Sequence, residues 1–151
     1  MAQVSKKRVG AATVMAFALE CTLRGAYVSE PFGDDAPYDL VIDPRTPDRE
    51  LFRIQVKTAS PKPDGSFYVN THRRVLKKGE VKLVPYENGE VDFIVTKIKD
   101  SWYFIEVEDD LPAGVSINPE PKYKKQEGAK HGTNKDRWDL VKLLQADDNA
   151  A

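Results

Sequence analysis

Asp39, Gln55 and Lys57 stand on two short β-prone segments whose spacing would let them meet. In residues 51–59, period-two alternation sends Phe52, Ile54, Val56 and Thr58 to one face and Arg53, Gln55 and Lys57 to the other. In residues 38–43, Asp39 shares a face with Val41 and Asp43, opposite Tyr38, Leu40 and Ile42. If the segments pair with matched faces, a carboxylate, an amide oxygen and an ammonium converge. The two oxygens are hard ligands suited to Mg²⁺, and the carbonyl of Val56 is a candidate third donor. Such a cation polarises a phosphoryl oxygen and acidifies water, while Lys57 orients that water and stabilises the charge of the transition state. An edge hairpin with a solvated polar face uses the same residue types, so alternation alone does not decide.

The elements that must carry these residues can be read along the chain. Residues 4–24 place Val9, Ala12, Ala16, Leu19 and Leu23 at helical spacing, with Gly25 as a stop. Strands are expected at 26–28, 38–43, 51–59 and 66–69, separated by clusters of Pro, Gly and Asp. Residues 71–90 read as a basic, turn-rich stretch, and 91–98 and 102–107 as two further strands. Residues 108–135 read as an irregular basic loop, and Asp136 as the N-cap of a helix over 136–145 carrying Trp138, Leu140, Val141 and Leu144. Residues 146–151 are expected to fray. The order predicts one α+β or α/β domain over 1–151, with a central mixed β-sheet flanked by helices.

Composition sets the outer bounds. The 151 residues fit a single domain, with 40% hydrophobic and 31% charged residues. One cysteine, Cys21, excludes an internal disulfide or a Cys-rich zinc site, and His72 and His131 are too few for a histidine cage. Lys6-Lys7-Arg8 before an apolar run imitates a signal peptide. Glu20 and the bulky residues after Cys21 spoil the cleavage site, so a cytoplasmic protein with no membrane partner is expected. The net charge of −1 gives no global basic field, so any nucleic-acid surface must be local. The densest basic clusters are Arg73, Arg74, Lys77 and Lys78, and then Lys122, Lys124, Lys125 and Lys130 with Tyr123 interleaved and His131 following.

Pro37-Tyr38-Asp39-Leu40-Val41-Ile42-Asp43 followed by Arg53-Ile54-Gln55-Val56-Lys57-Thr58 resembles the signature of PD-(D/E)XK nucleases. More narrowly it resembles the branch containing a group I intron-encoded homing endonuclease, in which a Gln-Val-Lys variant and the approach Pro31-Phe32-Gly33-Asp34 recur. The likeness runs over residues 6–107, and Asp-Arg-Trp at 136–138 is similar to the family's C-terminal segment. The resemblance implies a restriction-endonuclease-like core, Asp39 binding Mg²⁺ (Mn²⁺ tolerated), Gln55 in the usual acid position and Lys57 as the catalytic lysine. Gln55 carries one negative charge fewer than the family pattern. Relatives place a glutamate on the first helix, where Glu20 is the one acid here, and Asp34 and Asp35 are alternative helpers.

A Mg²⁺-dependent DNA endonuclease of homing or restriction type is therefore expected. A structure-selective nuclease such as a Holliday junction resolvase, and a non-catalytic DNA-binding module, are the rival readings. Arg73, Arg74, Lys77, Lys78, Lys124 and Lys125 are the expected DNA contacts. Cutting both strands needs two sites, so a homo-oligomer is expected, most simply a dimer; the homing-endonuclease resemblance suggests a dimer of dimers. Trp102, Tyr103 and Trp138 are candidates for that interface or for the core.

Overall fold

A computed structural model of the chain describes residues 3–120 and 134–143. Helix α1 spans Lys6–Leu23. Ser5 caps it by accepting the Arg8 N–H at 3.3 Å. At the other end Gly25 takes φ 92°. The N–H of Ala26 donates to the Cys21 carbonyl at 3.1 Å, and that of Gly25 to Thr22 at 3.0 Å. This pair of bonds closes a Schellman motif, for which a residue tolerant of positive φ is needed.

The central sheet has five strands: β1 (Tyr27–Ser29), β2 (Leu40–Asp43), β3 (Phe52–Val56), β8 (Phe93–Ile98) and β9 (Ser101–Glu106), in the order β1-β2-β3-β8-β9. Only β3 and β8 run parallel. A parallel pair needs a long crossover, and here it carries four more strands, two of them part of a second sheet. β4 (Ser60–Pro61) and β5 (Phe67–Asn70) join β10 (Gly114–Ile117) in that second sheet, in the order β10-β5-β4. β6 (Arg73–Lys77) and β7 (Glu80–Val84) form a separate two-stranded ribbon.

Each face of the central sheet has its own core. On one, Phe17 and Cys21 of α1 meet Leu40, Ile42, Ile54, Val56, Val95 and Phe104. Trp138 closes this layer, stacked on Phe17 at 5.6 Å and edge-on to Phe104 at 5.1 Å. On the other face Ile94, Ile98, Tyr103 and Ile105 pack on Val69, Val115 and Ile117 of the second sheet. That cover lies over β8 and β9. The same face of β2 and β3, with Val41, Arg53 and Gln55, is only partly covered.

Four expectations need correction. Within the described residues 136–143 the expected C-terminal helix is a single 3₁₀ turn, Trp138–Val141, because Lys142 adopts φ 57° and ends it. Asp136 does not cap that turn. Its carboxylate accepts the Trp102 N–H at 2.9 Å and its own N–H donates to the Trp102 carbonyl at 2.7 Å, which prolongs the edge of β9. The sheet is therefore flanked by one α-helix among the described residues, and Leu144 lies outside them. The stretch 71–90 is a hairpin, with Lys78 and Gly79 both at positive φ in its two-residue turn. The segment expected to be irregular over 108–135 contains β10. Trp102, Tyr103 and Trp138 are all buried core residues.

Candidate active site

The β2–β3 ladder pairs Leu40 with Ile54 and Val41 with Arg53. Continued by one residue, it sets Asp39 opposite Gln55. Successive backbone groups of a strand point alternately to its two neighbours. Because the Lys57 N–H goes to Val95 of β8 at 2.9 Å, the N–H and carbonyl of Val56 face the β2 side. There β2 has not yet begun, and the Asp39 side chain takes its place: Oδ2 accepts the Val56 N–H at 2.8 Å. The Asp39 N–H donates to the Ile54 carbonyl at 2.9 Å. Two bonds to alternate residues of β3 thus hold this carboxylate. The Gln55 Nε2 lies 3.5 Å from the Val56 carbonyl oxygen, at the same end of β3.

Lys57 projects beyond the end of β3. Its Nζ lies 3.5 Å from the His72 carbonyl and 5.9 Å from the centre of the Tyr86 ring. Burial pulls the Lys57 ammonium below its ordinary pKa; Asp39 opposes that shift and Arg74 adds to it. Burial likewise raises the Asp39 carboxyl, against the Val56 N–H and Lys57, which favour the anion, while Glu30 raises it further. Tyr86 is pushed up to about 12, first by burial and then by the Asp39 charge. These mutual influences place Asp39, Lys57 and Tyr86 in one partly dehydrated environment. A carboxylate and an ammonium, both pushed towards neutrality by burial, single out this end of β3 as the candidate site.

A depression of about 310 Å³ opens beside Asp39, lined also by Glu30, Gly33, Asp34 and Tyr38. Among the described residues no group of three or more His, Cys, Asp or Glu side chains converges as a metal cage. A cation here would draw instead on mixed oxygen donors: the Asp39 carboxylate, the Gln55 amide and the Val56 carbonyl. That set suits Mg²⁺, which keeps several waters and needs few protein ligands.

Glu20 is not brought to this group. Arg24, one helical turn on, grips it through Nε at 3.1 Å and Nη2 at 2.9 Å. Glu20 borders a different depression, with Asp136, Trp102 and Trp138. The acid beside Asp39 is instead Glu30, at the end of β1, which sequence reading missed along with Tyr86. Asp34 lines the depression as well, whereas Asp35 does not. Arg73 and Arg74 begin β6, Lys77 ends it, and Lys78 is in the turn. Lys124 and Lys125, with Lys122, Tyr123, Lys130 and His131, lie outside the described residues.

The family model described as PD-(D/E)XK endonuclease matches residues 4–141. No curated protein matches the sequence. Among solved structures, that of a bacterial homing endonuclease, I-Ssp6803I, is similar with a TM-score of 0.76. The likeness covers 91% of this chain and 93% of that one, at 22% sequence identity. At that identity it speaks for the fold.

Proposed function

Given that the chain belongs to the PD-(D/E)XK endonuclease family, we propose that it cuts duplex DNA site-specifically, as a homo-oligomer that uses Mg²⁺ and tolerates Mn²⁺. The observation that carries this reading is the Asp39 carboxylate held at 2.8 Å on the Val56 amide, opposite Gln55 and beside the half-buried Lys57 ammonium. Asp39, Gln55 and the Val56 carbonyl would hold the cation. When bound, it supplies the charge that polarises the phosphoryl oxygen and makes water acidic enough to attack. Lys57 presents its Nζ protons to the attacking water and to a non-bridging phosphate oxygen, where negative charge grows. The Tyr86 ring and the buried end of β3 exclude bulk water and so strengthen these charge interactions. Arg73, Arg74, Lys77 and Lys78 supply DNA contacts next to that centre. Two copies of the site, in a dimer or a dimer of dimers, would cut the two strands.

The test is purified protein with supercoiled plasmid and with a four-way junction, in Mg²⁺ or EDTA, beside Lys57→Ala. Metal-dependent cutting that Lys57→Ala abolishes is expected, with linear duplex preferred to the junction. Preference for the junction would replace site-specific with structure-selective cleavage. Folded protein that neither cuts nor binds duplex DNA at low salt would overturn the reading.

A further inference from the structure

The ribbon β6–β7 stands apart from both sheets, and its two faces differ. Residues 73–84 carry five cations and one carboxylate, a net +4 in a chain of net charge −1, so everything outside the ribbon is net acidic. Its five residue pairs run from Arg73↔Val84 to Lys77↔Glu80, giving a reach of about 17 Å. On one face Arg73, Val75 and Val84 are half-buried at the root, where Arg73 lies 3.6 Å from Glu90. Lys77, Lys82 and Glu80 continue that face towards the tip. The opposite face carries Arg74, Leu76, Val81 and Leu83, all exposed. Leu76 is 73% exposed, its cross-strand partner Val81 59% and Leu83 47%. An isolated two-stranded hairpin is at best marginal in water, and exposed Leu and Val on one face make it worse. That face leaves three aliphatic side chains open to a partner.

Charge and position name the partner. The ribbon is the one strongly basic element among those described. Its root is continuous with the active site, because the His72 carbonyl immediately preceding β6 accepts from Lys57 Nζ at 3.5 Å. A DNA phosphate held at Lys57 would therefore bring the ribbon alongside the adjoining duplex. A major groove, about 12 Å wide and 8.5 Å deep, admits a two-stranded β-ribbon. Within it Arg reads guanine edges, and aliphatic side chains meet the thymine methyl that no other base pair presents there.

Resting on the nuclease reading, we propose that the β6–β7 ribbon enters the major groove and sets target specificity. Arg74, Leu76, Val81 and Leu83 read base edges, while Lys77 and Lys82 on the other face contact phosphates. The occupant of the apolar face is duplex DNA rather than a second protein.

The experiment selects bound sequences from a randomised duplex library with the full chain. It then compares affinities for the selected duplex and for a random duplex across salt concentrations, with unfolding curves confirming that each variant is folded. Wild-type protein should enrich a motif. Leu76→Ser with Val81→Ser, and separately Arg74→Lys, should lower the ratio of selected to random affinity by roughly tenfold or more. Lys77→Ala with Lys82→Ala should lower both affinities together and reduce the salt slope by about 2. The proposal falls if the wild type cuts plasmid yet enriches no motif, or if the outward-face variants enrich the same motif with the same ratio. It also falls if Leu76→Ser with Val81→Ser changes the oligomeric state, which would make the face a subunit interface. Protein that binds and cuts no DNA would remove this inference and the nuclease reading together.

Discussion

Replacing Asp39 by Asn and by Ala should abolish cutting equally and yet move stability in opposite directions. The Asp39 Oδ2 is the acceptor for the Val56 N–H at 2.8 Å, and Val56 is buried. Alanine leaves that amide without its partner, a cost of about 1–3 kcal/mol. For a chain of this size that lowers Tm by about 3–9 °C. Asparagine keeps an acceptor oxygen in the same place and removes a charge that burial penalises. Because the folded pKa of Asp39 is raised, chiefly by burial, the folded state binds this proton more tightly than the unfolded chain does. Ionised Asp39 therefore costs stability above its folded pKa, and the cost is relieved as pH falls through that value towards the unfolded one. Asp39→Asn should match or exceed wild-type Tm at pH 7, with the gap narrowing on acidification. Thermal unfolding followed by circular dichroism at pH 7 and pH 5 reads both effects. An Asn variant as unstable as the Ala variant, or a gap that widens on acidification, would refute the reasoning. Added Mg²⁺ should raise the Tm of the wild type and leave Asp39→Asn where it was.

Further outcomes follow from the same geometry. Lys57→Met should abolish nicking without loss of stability at pH 7, since burial lowers the Lys57 pKa and the folded chain gives up a penalised ammonium. That advantage should shrink as pH rises through the folded Lys57 pKa, and urea denaturation at pH 7 and 10 checks it. Glu30→Gln removes a charge that raises the Asp39 pKa, so the acid limb of the pH–rate profile should move to lower pH. An unmoved limb would disconnect the two carboxylates. Burial pushes the Cys21 thiol up to about 12, so a disulfide reagent at pH 8 should react only after unfolding. Trp138→Ala opens the cluster of Phe17, Phe104 and Trp138 and should cost about 3–5 kcal/mol, read by urea denaturation. A loss below about 1 kcal/mol would show that the layer closes over the gap.

The central pairing was legible in the sequence because period-two alternation in 52–56 and 40–43 is a physical consequence of one buried face. Once Leu40 and Ile54 must both be inward, Asp39 and Gln55 have little choice of neighbour. Glu30 was not legible: it sits past the end of β1, where no period fixes direction, and only the fold of the following loop brings it round to Asp39. Glu20 misled for the opposite reason, since a helix offers a partner four residues on and Arg24 took the position. The ribbon was hidden because its strands mix Lys and Arg with Val and Leu, and because Lys78-Gly79 resembles any loop. Spacing of Trp138, Leu140 and Val141 suggested a helix, but so short an apolar run is ambiguous, and positive φ at Lys142 closed it after one turn.

The crossover from β3 to β8 has a bearing on how such a protein diversifies. The ribbon leaves that crossover after Thr71, whose hydroxyl donates to the Pro112 carbonyl, and returns to buried Tyr86. Its first and last residues, Arg73 and Val84, are paired across the ladder. Departure and return points are therefore adjacent and fixed by the body of the molecule. Ribbons of other length and sequence can be exchanged there at small entropic cost, without shifting the register of β3 against β8. With the ribbon in its proposed role, reaction chemistry and target choice can evolve on separate schedules, and a chimera carrying a foreign ribbon on this scaffold should show altered targeting.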